Sequence, residues 1–460
     1  MKKLGVVITD GVGYRNFVLS DFLVEAEQSF DEVVLLSFLP KSVYSDKYRV
    51  IELDAYQEPF TSWFFRKFKE VAHLQLHKKN NFGIQDGLNV NYSRSKNARG
   101  FATRFIFKLT SVFNSERWIQ LANRFQEFTF KNNAITQSNL ELLQKEQFDL
   151  LFFTHQRPPY LATLVLAAKK CQLKTASFIF SWDNLASKGR MAAAFDYYLV
   201  WSDLMKKELL QFYTNVKSES IHVVGTPQFE PYVLDRYKSS KADFYQMFDL
   251  DASKKTICFS CGDISTSKND ELYITTIANF ILKNEIEDVN FIVRTSPAED
   301  PKRFNQFVTD FPFIKWNYPK WNLSRQGHQE QWSQRIPSVQ DVIELRALLE
   351  YSDLNINMLS TMSLDFILFD KPVINTVFGN ASNGLYDDQR FLEYVHIKHV
   401  VDSKATRIAK NENELLQAIK SCLAQPFLDQ EHRKNLKNLQ ITHSLEHTGK
   451  RIAQSLYTVS

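Results

Sequence analysis

Short apolar runs of strand length recur along this chain, and most are followed by a polar turn and then a segment of helical period. In the first half they fall at residues 4–9 (LGVVIT), 33–38 (VVLLSF), 148–154 (FDLLFFT), 175–180 (TASFIF), 196–202 (DYYLVWS) and 221–225. Helical patterns over 17–28, 161–171 and 203–213 separate them. Strand, turn, helix, strand in repetition is the signature of a parallel sheet with helices on both faces, because parallel neighbours need a crossover connection. Five or six such strands are expected to complete one doubly wound domain by about residue 230.

The rhythm resumes after a charged connector at 231–255. Strands are expected at 255–260, 289–294, 355–357, 373–377 and 399–401, with helices at 271–284, 338–351 and 411–424. Ser338 reads as the cap of its helix, with Asp341 three residues on. Residues 313–337 read as an irregular, tryptophan-rich insertion. The stretch 355–378, NINMLSTMSLDFILFDKPVINTVF, passes from a strand through the turn Ser360-Thr361-Met362-Ser363 into a helix stopped by Asp370-Lys371-Pro372. Backbone N–H groups and three hydroxyls at such a turn suit an anion, and Asp365 would stand within reach of a ribose diol.

At 460 residues the chain exceeds one core, so two domains are expected. A formal charge of +4 on a chain this long gives no support to nucleic-acid steering. With only 13 glycines, it carries neither GxGxxG nor GxxxxGK[ST], so phosphate binding would fall to helix termini and side chains. Cys258-Phe259-Ser260-Cys261 is formally CxxC, but it lies inside a strand-like run with no second pair, and reads as buried thiols. The opening MKKLGVVITDG has too short an apolar run for a signal peptide, and no stretch approaches about 18 apolar residues. A cytoplasmic protein is expected.

Residues 41–135 break the rhythm. The segments 59–79 and 99–130 are helical in period and interleave Phe and Trp with Arg and Lys. They read either as helices packed on the sheet or as a face for an anionic membrane or a lipid-linked substrate, at the inner side of the cytoplasmic membrane.

Open α/β sheets place ligands outside the carboxyl ends of their strands. In the first domain those ends carry Asp10, Arg15, Asn16, His155 and the turn Trp182-Asp183-Asn184, followed by Lys188 and Arg190. In the second they carry Gly262-Asp263, Arg294 and the turn at 360–363. Both sets are expected to face one cleft, which points to a two-substrate enzyme. Asp183, Asp10 and His155 are the candidate bases; each could equally serve its own turn. Arg15, Asn16, Trp182, Asn184, Lys188 and Arg190 are candidate acceptor contacts. Asp387-Asp388-Gln389-Arg390 reads as sugar contacts or a plain polar loop.

The segments SWDNLASKGR (181–190), FDYYLVWSDLMKKEL (195–209) and VVGTPQFEPY (223–232), with the block 354–377, resemble a bacterial surface-polysaccharide branch of the GT-B glycosyltransferases. Wider similarity extends to CDP-glycerol glycerophosphotransferase-like and nucleotide-sugar 2-epimerase-like groups. The resemblance implies an α/β protein of two tandem doubly wound, Rossmann-like domains. An acceptor domain would span 1–230 with a helical insert at about 41–135, and a nucleotide-sugar domain 256–425. A helix at 426–460 would pack back across the junction. It implies transfer of a sugar from a nucleotide-sugar donor to a surface polysaccharide or lipid-linked glycan, without metal or cofactor; the sole DxD, Asp249-Leu250-Asp251, lies in the connector. It assigns donor contacts to Ser360, Thr361, Ser363 and Asp365, beside Arg294, Gly262 and Asp263. Where relatives carry Arg-Pro-His-Pro, this chain has Arg294-Thr295-Ser296-Pro297, so the histidine's role does not carry over. An inverting reaction would need a base and a retaining one would not. Transfer of a polyol phosphate from a CDP donor, epimerisation, and a non-catalytic nucleotide-binding paralogue are the alternatives.

Overall fold

The computed structural model describes residues 2–327, 330–379 and 388–460. The chain divides into two units: Met1–Glu230 with Ser324–Gln334 and Gln440–Ser460, and Pro231–Leu323 with Arg335–Leu439.

The first unit is built on seven strands, β1 (Lys3–Ile8), β2 (Glu32–Ser37), β3 (Arg49–Glu52), β4 (Leu150–Phe153), β5 (Lys174–Phe178), β6 (Tyr197–Val200) and β7 (Ile221–Val223). All pair in parallel, in the order β3-β2-β1-β4-β5-β6-β7. All four residues of β4 are buried, as a strand covered on both faces requires. The aromatic core centres on Phe17, whose ring meets those of Phe22, Phe152 and Phe178 at 5.3–5.4 Å. β1 and β4 pair with Val7 opposite Phe153, so both strands end level. Between them the strand order reverses, which makes their carboxyl ends the switch point of the sheet.

The second unit carries β8 (Lys255–Ser260), β9 (Val289–Arg294), β10 (Lys315–Asn317), β11 (Trp321–Leu323), β12 (Arg335–Pro337), β13 (Leu354–Asn357), β14 (Val373–Thr376) and β15 (Arg407–Ala409). Six of them form a parallel sheet in the order β10-β9-β8-β13-β14-β15, with its own switch point between β8 and β13. β11 and β12 make a separate antiparallel pair. Ile257, Phe259, Ile277, Phe291, Ile356 and Ile374 form the centre of its core.

Three local expectations are corrected. The interval 41–135 is not wholly outside the sheet, because Arg49–Glu52 adds the edge strand β3 to β2. Residues 399–401 are helical, inside Val395–Ser403; Ile397 and Val400, three apart, are its buried face. Residues 313–337 contain three ordered strands. Among the described residues, no helix is long and apolar enough to cross a membrane.

The last helix, Thr448–Val459, packs on helix Phe22–Ser29. Gly449 permits the approach: a Cβ there would lie 2.5 Å from the Phe22 nitrogen. The buried Glu230 carboxylate accepts from the backbone N–H of both Gly449 (2.8 Å) and Asp21 (3.2 Å) and ties the two helices together.

Candidate active site

Asp10 follows β1 and caps helix Gly11–Val18. One of its oxygens accepts from the Gly13 N–H at 2.8 Å, satisfying a donor that the helix itself leaves open. The other accepts from the Thr9 hydroxyl at 2.7 Å and meets Nδ1 of His155 at 3.0 Å. Burial pushes the Asp10 carboxyl up, but the hydrogen bond and charge of His155, with the Gly13 and Thr9 bonds, outweigh it and hold the group below its ordinary value. An ionised carboxylate at Nδ1 selects the tautomer with its proton there, which leaves Nε2 as the acceptor. Nε2 makes no hydrogen bond among the described residues. The imidazole stacks on Phe180 at 3.8 Å and 15°. Helix, strand end and aromatic ring together fix the imidazole in position and orientation.

The surroundings are ordered through Gln156. Its amide donates to Asn184 Oδ1 at 2.9 Å and accepts from the Phe180 N–H at 3.1 Å. Asn184 in turn donates to Asp183 at 3.0 Å, and Lys188 pairs with the other Asp183 oxygen at 3.3 Å. Asp183 is therefore tied through Asn184 and Gln156 to the backbone of Phe180, whose ring stacks on His155, and it is half-buried with its charge answered by Lys188. Tyr160 closes another side: its hydroxyl donates to the Thr9 carbonyl at 3.2 Å and its ring packs on Phe38 at 4.5 Å. The Phe38 carbonyl accepts from Arg325 and, at 3.5 Å, from Gln334.

The acceptor candidates separate. Trp182 and Arg15 are buried, and the buried Asn16 has an Oδ1 with no partner among the described residues. Arg190 is not an open cation. It forks onto Glu116 at 2.9 and 2.5 Å and lies over the Tyr213 ring at 4.4 Å, so its charge is used inside the unit.

At the second switch point the assignments also separate. Arg294 is buried and its guanidinium is engaged by Asp341, at 3.0 and 3.1 Å, and by Asn317. Asp341 also accepts from the Trp321 indole at 2.8 Å and the Lys320 N–H at 2.9 Å. The fork expected to meet a phosphate thus clamps β9 to helix Val339–Tyr351. Asp365, expected at a ribose, is buried and accepts from the Tyr232 hydroxyl. Ser363 is buried in an amide network: it donates to Asn357 at 3.2 Å and accepts from Asn375 at 2.9 Å. Ser360 and Thr361 keep partial exposure. Leu359 just before them has φ +48°, a left-handed conformation costly for a branched residue, of order 1–3 kcal/mol.

Gly262 lies against Ser267, where a Cβ would come within 2.6 Å, and donates to Asp270 at 3.0 Å. Asp263 accepts from Ser265 N–H at 2.9 Å and Thr266 Oγ1 at 3.1 Å, so it shapes its own turn. Three buried polar atoms at or next to strand ends have no partner among the described residues: Thr295 Oγ1 beyond β9, and Asn375 Oδ1 and Thr376 Oγ1 on β14. Such atoms call for water or a ligand. Asp387 lies outside the described residues. Asp388 is buried, and one of its oxygens accepts from Tyr273 (2.7 Å) and Asn269 (3.1 Å). No cluster of three or more metal-ligating side chains occurs among the described residues.

No protein-family model matches this chain, and no curated protein matches it. Its fold is nonetheless known. The UDP co-structure of MnaA from S. aureus superposes with a TM-score of 0.52 at 13% identity, covering 98% of this chain and 95% of that one. A glycosyltransferase from Rickettsia africae gives 0.52 at 12%, covering 100% and 98%. A putative UDP-N-acetylglucosamine 2-epimerase from Listeria monocytogenes gives 0.54 at 10%, covering 100% and 96%. At such identities the likeness is one of fold, and that fold is the two-unit α/β architecture of GT-B enzymes, as the sequence resemblance implies.

Proposed function

We propose that this chain is a glycosyltransferase that moves a sugar from a nucleotide-sugar donor to a hydroxyl of a surface polysaccharide or lipid-linked glycan. The observation that carries the proposal is the Asp10–His155 pair at the first switch point, with Nε2 left open to accept a proton. In the proposed step Nε2 takes the acceptor's hydroxyl proton as its oxygen bonds to the anomeric carbon. The bond from that carbon to the diphosphate breaks, and a nucleoside diphosphate departs. Asp10 stabilises the imidazolium that forms, as a buried carboxylate does for a catalytic histidine. A base used in this way implies inversion at the anomeric carbon. Donor contacts fall to the half-exposed Ser360 and Thr361 and to the Gly262 loop. Fold neighbours with UDP and with UDP-GlcNAc bound support a uridine nucleotide as the first donor to try.

The 2-epimerases among the same fold neighbours favour a second reading, in which the base removes a proton from the sugar itself. One assay separates the two. The chain is incubated with nucleotide-sugars, chosen from a thermal-shift screen of UDP, GDP, CDP, CMP and dTDP, with and without a lipid-linked glycan. Transfer predicts nucleoside diphosphate release that requires the glycan and is lost in His155→Ala, while the ligand-induced shift survives. Consumption of donor without acceptor favours epimerisation, and release of CMP favours polyol-phosphate transfer. Absence of any nucleotide shift overturns all three.

A further inference from the structure

We infer that helices Ala98–Thr110 and Glu116–Phe130 form a docking face for an anionic lipid bilayer. On the first helix Thr103, Ile106 and Thr110 turn inward, and Phe101 and Phe105 turn out, 60% and 54% exposed. On the second, Ile119, Ala122 and Gln126 turn inward, and Trp118, Leu121, Phe125 and Phe128 turn out. Both inner faces pack on helix Phe60–His77. Of the eight exposed phenylalanines and tryptophans among the described residues, six lie between 101 and 128. Scattered exposed apolar residues need no cause; this concentration does.

The charge on this face names the occupant. Residues 93–131 hold eight lysines and arginines and two acids. Both acids are paired with cations outside the segment, Glu116 with Arg190 at 2.5 Å and Glu127 with Lys169 at 3.5 Å. The cations lie among the rings: Arg104 over Phe101 at 4.5 Å and Lys131 over Phe128 at 4.0 Å. Rings that enter the acyl boundary, with cations level with lipid phosphates, match an interfacial helix pair. A second copy would set the same excess of positive charge against itself, which opposes self-association. The inference goes beyond the transfer reading and stands without it, because its test reads lipid binding and no turnover.

The test is co-sedimentation of the full chain with vesicles of phosphatidylcholine alone and with roughly one-third phosphatidylglycerol. Binding is expected to be at least about tenfold stronger to the anionic vesicles and to weaken with salt. Phe105→Ser with Phe128→Ser should lower it about tenfold or more, and Arg117→Gln with Arg124→Gln about fivefold per cation removed. Thermal midpoints should stay within a few degrees of wild type, since these side chains point outward. Equal binding to both vesicle types, no binding to either, or unchanged binding by the phenylalanine variant overturns the inference. So does a dimer in sedimentation velocity that the phenylalanine variant abolishes, which would give the face to a second copy.

Discussion

Asp10 and His155 stand 145 positions apart in the chain and meet at 3.0 Å, carboxylate to Nδ1, because β1 and β4 are neighbours that end level. Neither residue needs a long loop to reach the other. Asp10 lies two residues beyond its strand and opens a helix, and His155 likewise lies two residues beyond its own. The pair therefore inherits the rigidity of the sheet, and Phe180 holds the ring from its face.

Removing the imidazole should slow turnover steeply while leaving the donor in place. For His155→Ala a loss in kcat of roughly 10²- to 10⁴-fold is expected, with nucleotide affinity changed by less than about twofold. Asp10→Asn should lose a comparable factor, because the amide cannot stabilise an imidazolium. Steady-state kinetics beside isothermal titration of the nucleotide would decide it; a fall in affinity that accounts for the whole loss would remove the dyad from the chemistry.

The Asp10 side chain also sets an acid limit on stability. Its pKa is lowered in the fold, so its contribution is present above the ordinary carboxylate range and is lost as pH falls through the lowered value. Thermal melts from pH 6 downward should show Asp10→Asn losing less stability on acidification than wild type. Parallel curves would contradict the pairing.

What the sequence discloses about this molecule is mostly local. Continuous apolar runs such as LLFF mark the buried strands, and the resemblance places them in a GT-B order. The edge strand β3 escapes because RVIE is four residues long and only Val50 is buried. Helix Val395–Ser403 passes for a strand because Val400 and Val401 are β-branched, while its burial follows a helical spacing. At the site, Asp10 and His155 are each legible as strand-end residues, but their partnership depends on strand order. Arg294 shows the converse. Its position at a strand end is legible, and its partner Asp341, 47 positions away, reads in sequence as a plain helix-cap residue. The dependence of Asn184 and Phe180 on Gln156 has no signal in the one-dimensional pattern.

The Arg294–Asp341 pair should behave as a clamp and not as a ligand contact. Both side chains are buried, so Asp341→Ala leaves an unanswered guanidinium and should cost about 3–5 kcal/mol. Arg294→Met with Asp341→Leu should cost less than either single change. Arg294→Lys should lower the thermal midpoint and leave nucleotide affinity of the folded protein within about twofold. A loss of affinity at an unchanged midpoint would return Arg294 to the donor phosphates.

Glu208 should make the first unit pH-sensitive. Its carboxyl is buried and pushed up to about 8, chiefly by burial and further by the charge of Asp183. A raised pKa means the stability it permits is full below the ordinary carboxylate value and is lost as pH rises through the folded one. Between pH 5 and 8 the wild type should lose on the order of 3 kcal/mol relative to Glu208→Gln, which does not ionise. Chemical denaturation of both proteins at the two pH values measures this, and equal losses would show that Glu208 is already ionised in the fold.

Gly449 should be the least replaceable residue of the last helix. A Cβ there would stand 2.5 Å from the Phe22 nitrogen and 2.7 Å from the Asp21 carbonyl carbon. Both are backbone atoms, which cannot swing aside as a side chain would. Gly449→Ala therefore has to push helix Thr448–Val459 off helix Phe22–Ser29 and weaken the two bonds that Glu230 accepts from Gly449 and Asp21. Alanine's better helix propensity, worth about 1 kcal/mol, offsets part of this, so a net loss of roughly 1–3 kcal/mol is expected. Gln454→Ala on the exposed face of the same helix should change stability by less than about 0.5 kcal/mol. Urea unfolding of the two variants measures the difference, and a neutral Gly449→Ala would mean that the two helices do not pack this closely in solution.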